Sequence, residues 1–205
     1  MMKTTTLATS FAVLLCAGGC RQTEKDIGQD TVSDSLQTEL PKVFYGHLGE
    51  NTGMSSLELI TDSGDTLSLS KADENSGTYG LILGCITNYT DRYAVTTDDS
   101  CTFVRQAVNL SQLSTEWASP RTADYTLRII PDGRVETQGN GIPPYTSWTL
   151  DGNLLLLYRT VSVSEPRMAT TATDTAEVLS LCTDSMQLSF KGERYETLYH
   201  TKKAE

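Results

Sequence analysis

An all-β fold is predicted by three features of this 205-residue chain. Hydroxyl residues abound, with 30 Thr and 19 Ser, and Thr suits a pleated surface while disfavouring helix interiors. From Pro41 onward, apolar and polar residues alternate with period two over short runs. Turn residues break those runs, including the pairs Asp132-Gly133 and Asp151-Gly152. Asp-Gly between alternating stretches is a hairpin signal, because Gly accepts positive φ cheaply.

Residues 1–19 have the three parts of an export signal. Lys3 supplies a positive start, Leu7 to Ala17 is apolar, and Ala17-Gly18-Gly19 places small residues before Cys20. At 1.5 Å per residue the apolar stretch covers only ~17 Å, about half a hydrocarbon core, so it is too short to span. One reading is an ordinary secretory signal cleaved near Gly19, with Cys20 an incidental thiol. The residues also resemble a bacterial lipoprotein signal, in which the Cys after small residues is acylated and becomes the first residue. That resemblance makes Cys20 the lipid-anchor site and the membrane a partner through the N-terminal lipid. One acyl chain anchors marginally; two or more anchor stably. The expected location is the cell envelope at the outer membrane, on its periplasmic or surface face.

Residues 20–40 form the next expected segment. They are polar, lack aromatics and show no sustained period, so they bury too little surface to offset ordering entropy and read as a flexible tether. Two of their triplets, Asp30-Thr31-Val32 and Asp34-Ser35-Leu36, resemble the O-glycosylation acceptor motif of exported Bacteroidetes proteins.

A first β series is expected over residues 41–110. Its strands are Val43 to Leu48, a run around Leu57 and Leu59, a run around Leu67 and Leu69 beyond the turn Asp62-Ser63-Gly64-Asp65, Tyr79 to Ile86, Arg92 to Thr97, and Cys101 to Val108. Their number and length resemble small barrels of the OB or SH3-like kind. A single wrapped domain of ten to twelve strands is the alternative. Residues 109–116 predict a short helix with Asn109 as N-cap, and a boundary falls there.

The second series, 114–203, opens at Trp117. Tyr125, Leu127 and Ile129 share one face, and Arg134 to Thr137 follows the first Asp-Gly turn. Trp148 and Leu150 share a face before the second turn, and Leu154 to Tyr158 follows. In that run apolar groups occupy both faces, which suits either a sandwiched central strand or an outward docking patch. Residues 162–174 are rich in Thr and Ala with one Pro, and read as a long mobile loop. Met186-Leu188-Phe190 and Tyr195-Thr197-Tyr199 alternate cleanly, predicting hairpins near the end of the chain.

Trp117, Asp132-Gly133, the run Tyr145 to Leu154, Asp174-Thr175 before Val178 to Leu181, and Asp184 to Leu188 resemble the lipocalin-like domain of Bacteroidetes lipoproteins. The resemblance implies a small up-and-down antiparallel barrel or half-barrel on a lipid anchor, with Trp117 packing one end. About six strands are expected after residue 117. A full lipocalin closes eight around one small apolar ligand.

A formal net charge of −10 and no basic cluster make nucleic acid an unsuitable partner. The two histidines, His47 and His200, stand far apart. No metal-ligand spacing, phosphate loop or nucleophile elbow occurs, so no metal, cofactor or catalytic residue is expected and the chain reads as a non-enzyme. An oxidising envelope allows Cys85 to pair with Cys101 across a 15-residue gap. The alternative is three separate buried thiols, with Cys182 lacking an obvious mate.

Two functions follow. The protein could hold a small apolar or amphiphilic ligand, with Tyr125, Leu127, Trp148, Leu150, Leu188 and Phe190 lining a cavity; the same residues would equally fill a solid core. Alternatively it is a structural or interaction lipoprotein, contacting another envelope protein or a surface glycan through loops and edge strands.

Overall fold

The computed structural model describes residues 42–121, 125–139, 143–162, 169–190 and 194–201. The export signal, Cys20, the tether and its two acceptor-like triplets lie outside these residues. The chain is all-β, in two sheets.

The first sheet contains β1 (Val43–Leu48), β2 (Ser56–Thr61), β3 (Thr66–Ser70), β4 (Leu81–Leu83), β5 (Arg92–Thr97) and β6 (Val104–Asn109), in the order β3-β2-β1-β5-β6-β4. Its pairs are antiparallel except β4 with β6. Ser70 also bridges Phe103 in parallel, and its N–H donates to Thr102 O at 2.8 Å. The chain from β3 to β4 therefore returns along β6 and curls the sheet towards a partly open small barrel of the OB kind. Leu48, Leu57, Leu59, Leu69, Tyr93 and Val95 are buried at its centre.

Two strands are shorter than the alternation predicts. The expected Tyr79 to Ile86 strand contracts to β4 because glycines bound it. A Cβ on Gly80 would meet Val104 O at 2.0 Å, and Gly84 turns the chain with φ +92°. The expected Cys101 to Val108 strand starts only at Val104. The preceding turn wraps the Asp98 carboxylate, which accepts from the Ser100 hydroxyl and from the N–H groups of Thr102 and Phe103, both at 2.8 Å.

The short helix α1 (Leu110–Leu113) is present with its predicted cap: Asn109 Oδ1 accepts from Gln112 N at 2.9 Å. The second sheet follows with β7 (Glu116–Ala118), β8 (Thr126–Ile129), β9 (Val135–Gln138), β10 (Tyr145–Asp151), β11 (Leu154–Ser162), β12 (Ala169–Leu181), β13 (Ser185–Phe190) and β14 (Arg194–His200). Each strand pairs antiparallel with its chain neighbour from β7 to β9 and from β10 to β14, and β14 returns to β7 through Tyr199–Ala118 and His200–Trp117. The seam between β9 and β10 is bridged at Arg134–Ser147, with Trp148 N donating to Gly133 O at 2.8 Å. The result is a nearly closed eight-stranded antiparallel barrel, not the six strands expected from the sequence.

The two further strands are β7, which carries Trp117, and β12, whose first half falls within 162–174. Instead of a loop, β12 begins at Ala169 and pairs back along β11 from Ser162–Ala169 to Leu154–Glu177. Thr170, Thr171 and Thr173 are good strand residues, and a Thr- and Ala-rich ladder has no apolar alternation to announce it. Residues 163–168 lie outside the described set. The four-leucine run resolves as ordinary alternation: Leu155 and Leu157 are buried, Leu156 and Tyr158 half-buried, and Leu154 exposed. Both Asp-Gly turns form, with φ +89° at Gly133 and +58° at Gly152.

Candidate functional site

Eight strands enclose an interior just wide enough for side chains or for one small ligand. Here it holds side chains. Trp117, Leu127, Leu155, Leu157, Val178 and Met186 have no accessible surface, and Leu188 has 1%. A side chain bordering a void large enough for water carries accessible area there, so the six with none border no such space. Tyr125 and Trp148 join the same cluster, with Leu150 and Phe190 packed against it. All six residues expected as cavity lining or core are thus gathered in one apolar cluster. Trp117 closes the end beside α1, its Nε1–H donating to Leu113 O at 3.0 Å. Trp148 braces the seam through Nε1–H to Ile130 O at 2.8 Å.

At the opposite end, Tyr145 Oη donates to Asp174 Oδ2 at 2.8 Å and Arg159 Nε donates to the same oxygen at 3.1 Å. Burial, and then the Asp174 carboxylate, push the Tyr145 phenol well above its ordinary range, so it stays a donor.

A broad concavity among the described residues lies at the α1 end. A groove of about 810 Å³ is lined by Cys85, Asn88 and Asp91 from the β4–β5 loop, by Ser111, Gln112 and Thr115 from α1 and its exit, and by Cys182, Thr183, Asp184 and His200 from the barrel. Its framework is a hydrogen-bond network around the buried Asn109 and Tyr93. Asn109 Nδ2 lies 2.7 Å from Asp91 Oδ2, 2.9 Å from Cys85 O and 3.2 Å from Tyr93 Oη. Two hydrogens cannot serve three acceptors fully, and the shorter contacts assign them to Asp91 and Cys85. Tyr93 Oη in turn donates towards Cys85 O at 2.9 Å and Asn88 O at 3.2 Å. Burial first, and the Asp91 charge second, raise the Tyr93 phenol far above its ordinary value.

Gly84 makes this arrangement possible. Its φ of +92° lies in the region that favours glycine, and a Cβ there would sit 2.6 Å from Asn109 Cβ and 2.7 Å from Gln112 Oε1. The chain can then pass close enough for Cys85 N to donate to Gln112 Oε1 at 2.8 Å and for Gly84 N to donate to Leu181 O at 3.0 Å. That second bond ties the first sheet to the barrel. On the barrel side, His200 N donates to Asp184 O at 2.9 Å, and the His200 ring meets Trp117 edge-on at 6.0 Å.

Among the sequence-predicted site residues, Cys20 lies outside the described set. Cys85, Cys101 and Cys182 are free thiols. Cys85 and Cys101 stand at opposite ends of β5, which at ~3.3 Å per residue spans roughly 17 Å, whereas a disulfide needs Cα atoms within about 7 Å. Cys101 instead has φ +56° and accepts from Thr97 Oγ1 at 3.6 Å, while Cys85 Sγ lies 3.6 Å from Thr183 Oγ1. Proximity in sequence misleads here because an entire strand separates the two cysteines. Of the groove residues, sequence reasoning singled out the two cysteines, His200 as one of two histidines and Asp184 within a resemblance motif, and it named Asn109 beneath the groove as the helix cap. No linear signal joins the β4–β5 loop to the β12–β13 turn. Among the described residues, no three His, Cys, Asp or Glu side chains converge as metal ligands. Comparison with family models, with curated proteins and with solved structures returns no match to this chain.

Proposed function

We propose that this protein is a lipid-anchored binding protein of the bacterial envelope, working without catalysis and meeting its partner, another envelope protein or a surface glycan, on its outer surface. The observation carrying this reading is the close packing of the barrel centre among the described residues. A cup for a small apolar ligand needs ~300 Å³ or more of connected space, and the fully buried side chains of the barrel centre argue against it. The α1-end groove is the candidate contact. It presents hydroxyl, amide and carboxylate groups on a base already braced by Asn109 and Tyr93. Those internal hydrogen bonds run largely to backbone oxygens, which suits a rigid recognition surface better than a reaction centre. The anchor rests on Cys20 behind Ala17-Gly18-Gly19.

Cells fed a clickable palmitate analogue should label the wild type and not Cys20→Ser. Native mass spectrometry after mild extraction should then find a co-purifying protein or glycan. Labelling that survives Cys20→Ser removes the anchor, and a stoichiometric small apolar molecule in the extracted protein overturns the exterior reading.

A further inference from the structure

We propose that the disulfide of this protein joins Cys85 to Cys182, stapling the first sheet to the barrel across the α1-end groove. The placement in an oxidising compartment rests on the export reading above, but the pairing does not. Both thiols are exposed and both line the one groove. The residues just before them are hydrogen-bonded, Gly84 N to Leu181 O at 3.0 Å. Residues so paired have Cα atoms about 5 Å apart, and the chain moves only 3.8 Å per residue beyond them. The two cysteines each stand one residue beyond that contact, on the same side of it, so a modest approach brings them to the 4.4–6.8 Å that a disulfide spans. Cys85 Sγ already points across the gap, 3.6 Å from the hydroxyl of Thr183, the residue following Cys182. Each backbone is held on its own side, Cys85 N by Gln112 Oε1 and Cys182 N by Ser185 O, both at 2.8 Å.

The oxidant is a disulfide, such as glutathione disulfide or the oxidised dithiol of an envelope thiol oxidase. One protein thiolate attacks it, forming a mixed disulfide and expelling one reduced thiol. The second protein thiolate then attacks the mixed disulfide at the protein sulfur and expels the other. Two protons and two electrons leave the protein, and the oxidant departs as two thiols. The new bond closes a long loop between residues 85 and 182, and such loops restrict the unfolded chain most. The oxidised protein should melt roughly 10 °C above the reduced one.

Trypsin resolves the question, since Cys85, Cys101 and Cys182 fall on separate peptides, 72–92, 93–105 and 168–191, and the signal-region thiols on 4–21. The full chain is purified reduced, equilibrated with glutathione disulfide, alkylated without reductant and digested. The expected product is 72–92 linked to 168–191, with 93–105 alkylated. Cys101→Ser should leave the link and the melting difference intact, whereas Cys182→Ser and Cys85→Ser should each abolish both. A 72–92 to 93–105 link, or three alkylated thiols after oxidation, overturns the pairing. If the link forms with glutathione disulfide yet the protein isolated from whole cells carries free thiols, the export reading fails and the pairing stands.

Discussion

Asn109 does two things with one side chain. Its Oδ1 caps α1 at Gln112 N, and its Nδ2 bonds the loop that carries Asp91 and Cys85. The residue itself is fully buried, although the Asp91 and Cys85 groups it serves border the groove. Loss of an N-cap costs about 1 kcal/mol, and leaving a buried acceptor unpaired adds about 1–3 kcal/mol. Tyr93 would still serve Cys85 O, which limits the second contribution. Asn109→Ala should therefore lower stability by about 2–3 kcal/mol, a Tm fall of roughly 5–10 °C for a body of this size. A thermal scan by circular dichroism checks this; a fall of less than 2 °C would show that neither bond matters to folding. The cap was readable in the sequence because it is local: Asn before a short apolar stretch. Its second role was not, since Asp91 and Cys85 reach it only through the β4–β5 loop.

Strands announced by alternation and bounded by Asp-Gly or Gly form close to where the pattern puts them, as β2, β10 and β13 do. Where a strand depends on its partner, the pattern is silent. The first half of β12 is Thr and Ala, and only the facing β11 makes it a strand. The barrel seam is another such element. No continuous ladder joins β9 to β10; one bridge and the two Trp148 bonds hold them, from its N–H to Gly133 O and from its indole N–H to Ile130 O. Local irregularity helps the curvature, since register shifts near Ser147 and Ser180 add twist where the barrel must bend. Trp148→Phe keeps a ring in place and removes the indole donor, leaving Ile130 O with only the Gly133 N–H at 3.1 Å, at a cost of about 1 kcal/mol. Native-state hydrogen exchange should show faster exchange at the amides of Ile130 and Trp148, which bond across or beside the seam, with β12 and β13 protected as before. Equal acceleration across all eight strands would mean the seam does not open on its own.

The two sheets do not have fully separate cores. Leu83 on β4 and Val108 on β6, with Leu113 of α1, are buried in the same apolar cluster as Trp117, Leu127 and Met186 of the barrel. The remaining apolar residues of the first sheet form their own cluster around Tyr93. Burial shared in this way couples the stabilities of the two sheets, because neither can unfold without exposing part of the other's apolar surface. Both tryptophans of the chain, Trp117 and Trp148, lie in the barrel, so their fluorescence reports the barrel alone, whereas far-ultraviolet circular dichroism reports both sheets. Leu83→Ala removes three carbons from a position 2% exposed, a change that costs about 2–5 kcal/mol in a packed core. Although Leu83 belongs to the first sheet, its loss should shift the urea midpoint read by tryptophan fluorescence as far as the midpoint read by circular dichroism, with one transition in each. If the fluorescence midpoint stays at its wild-type position while circular dichroism acquires an earlier step, the barrel folds independently of the sheet before it.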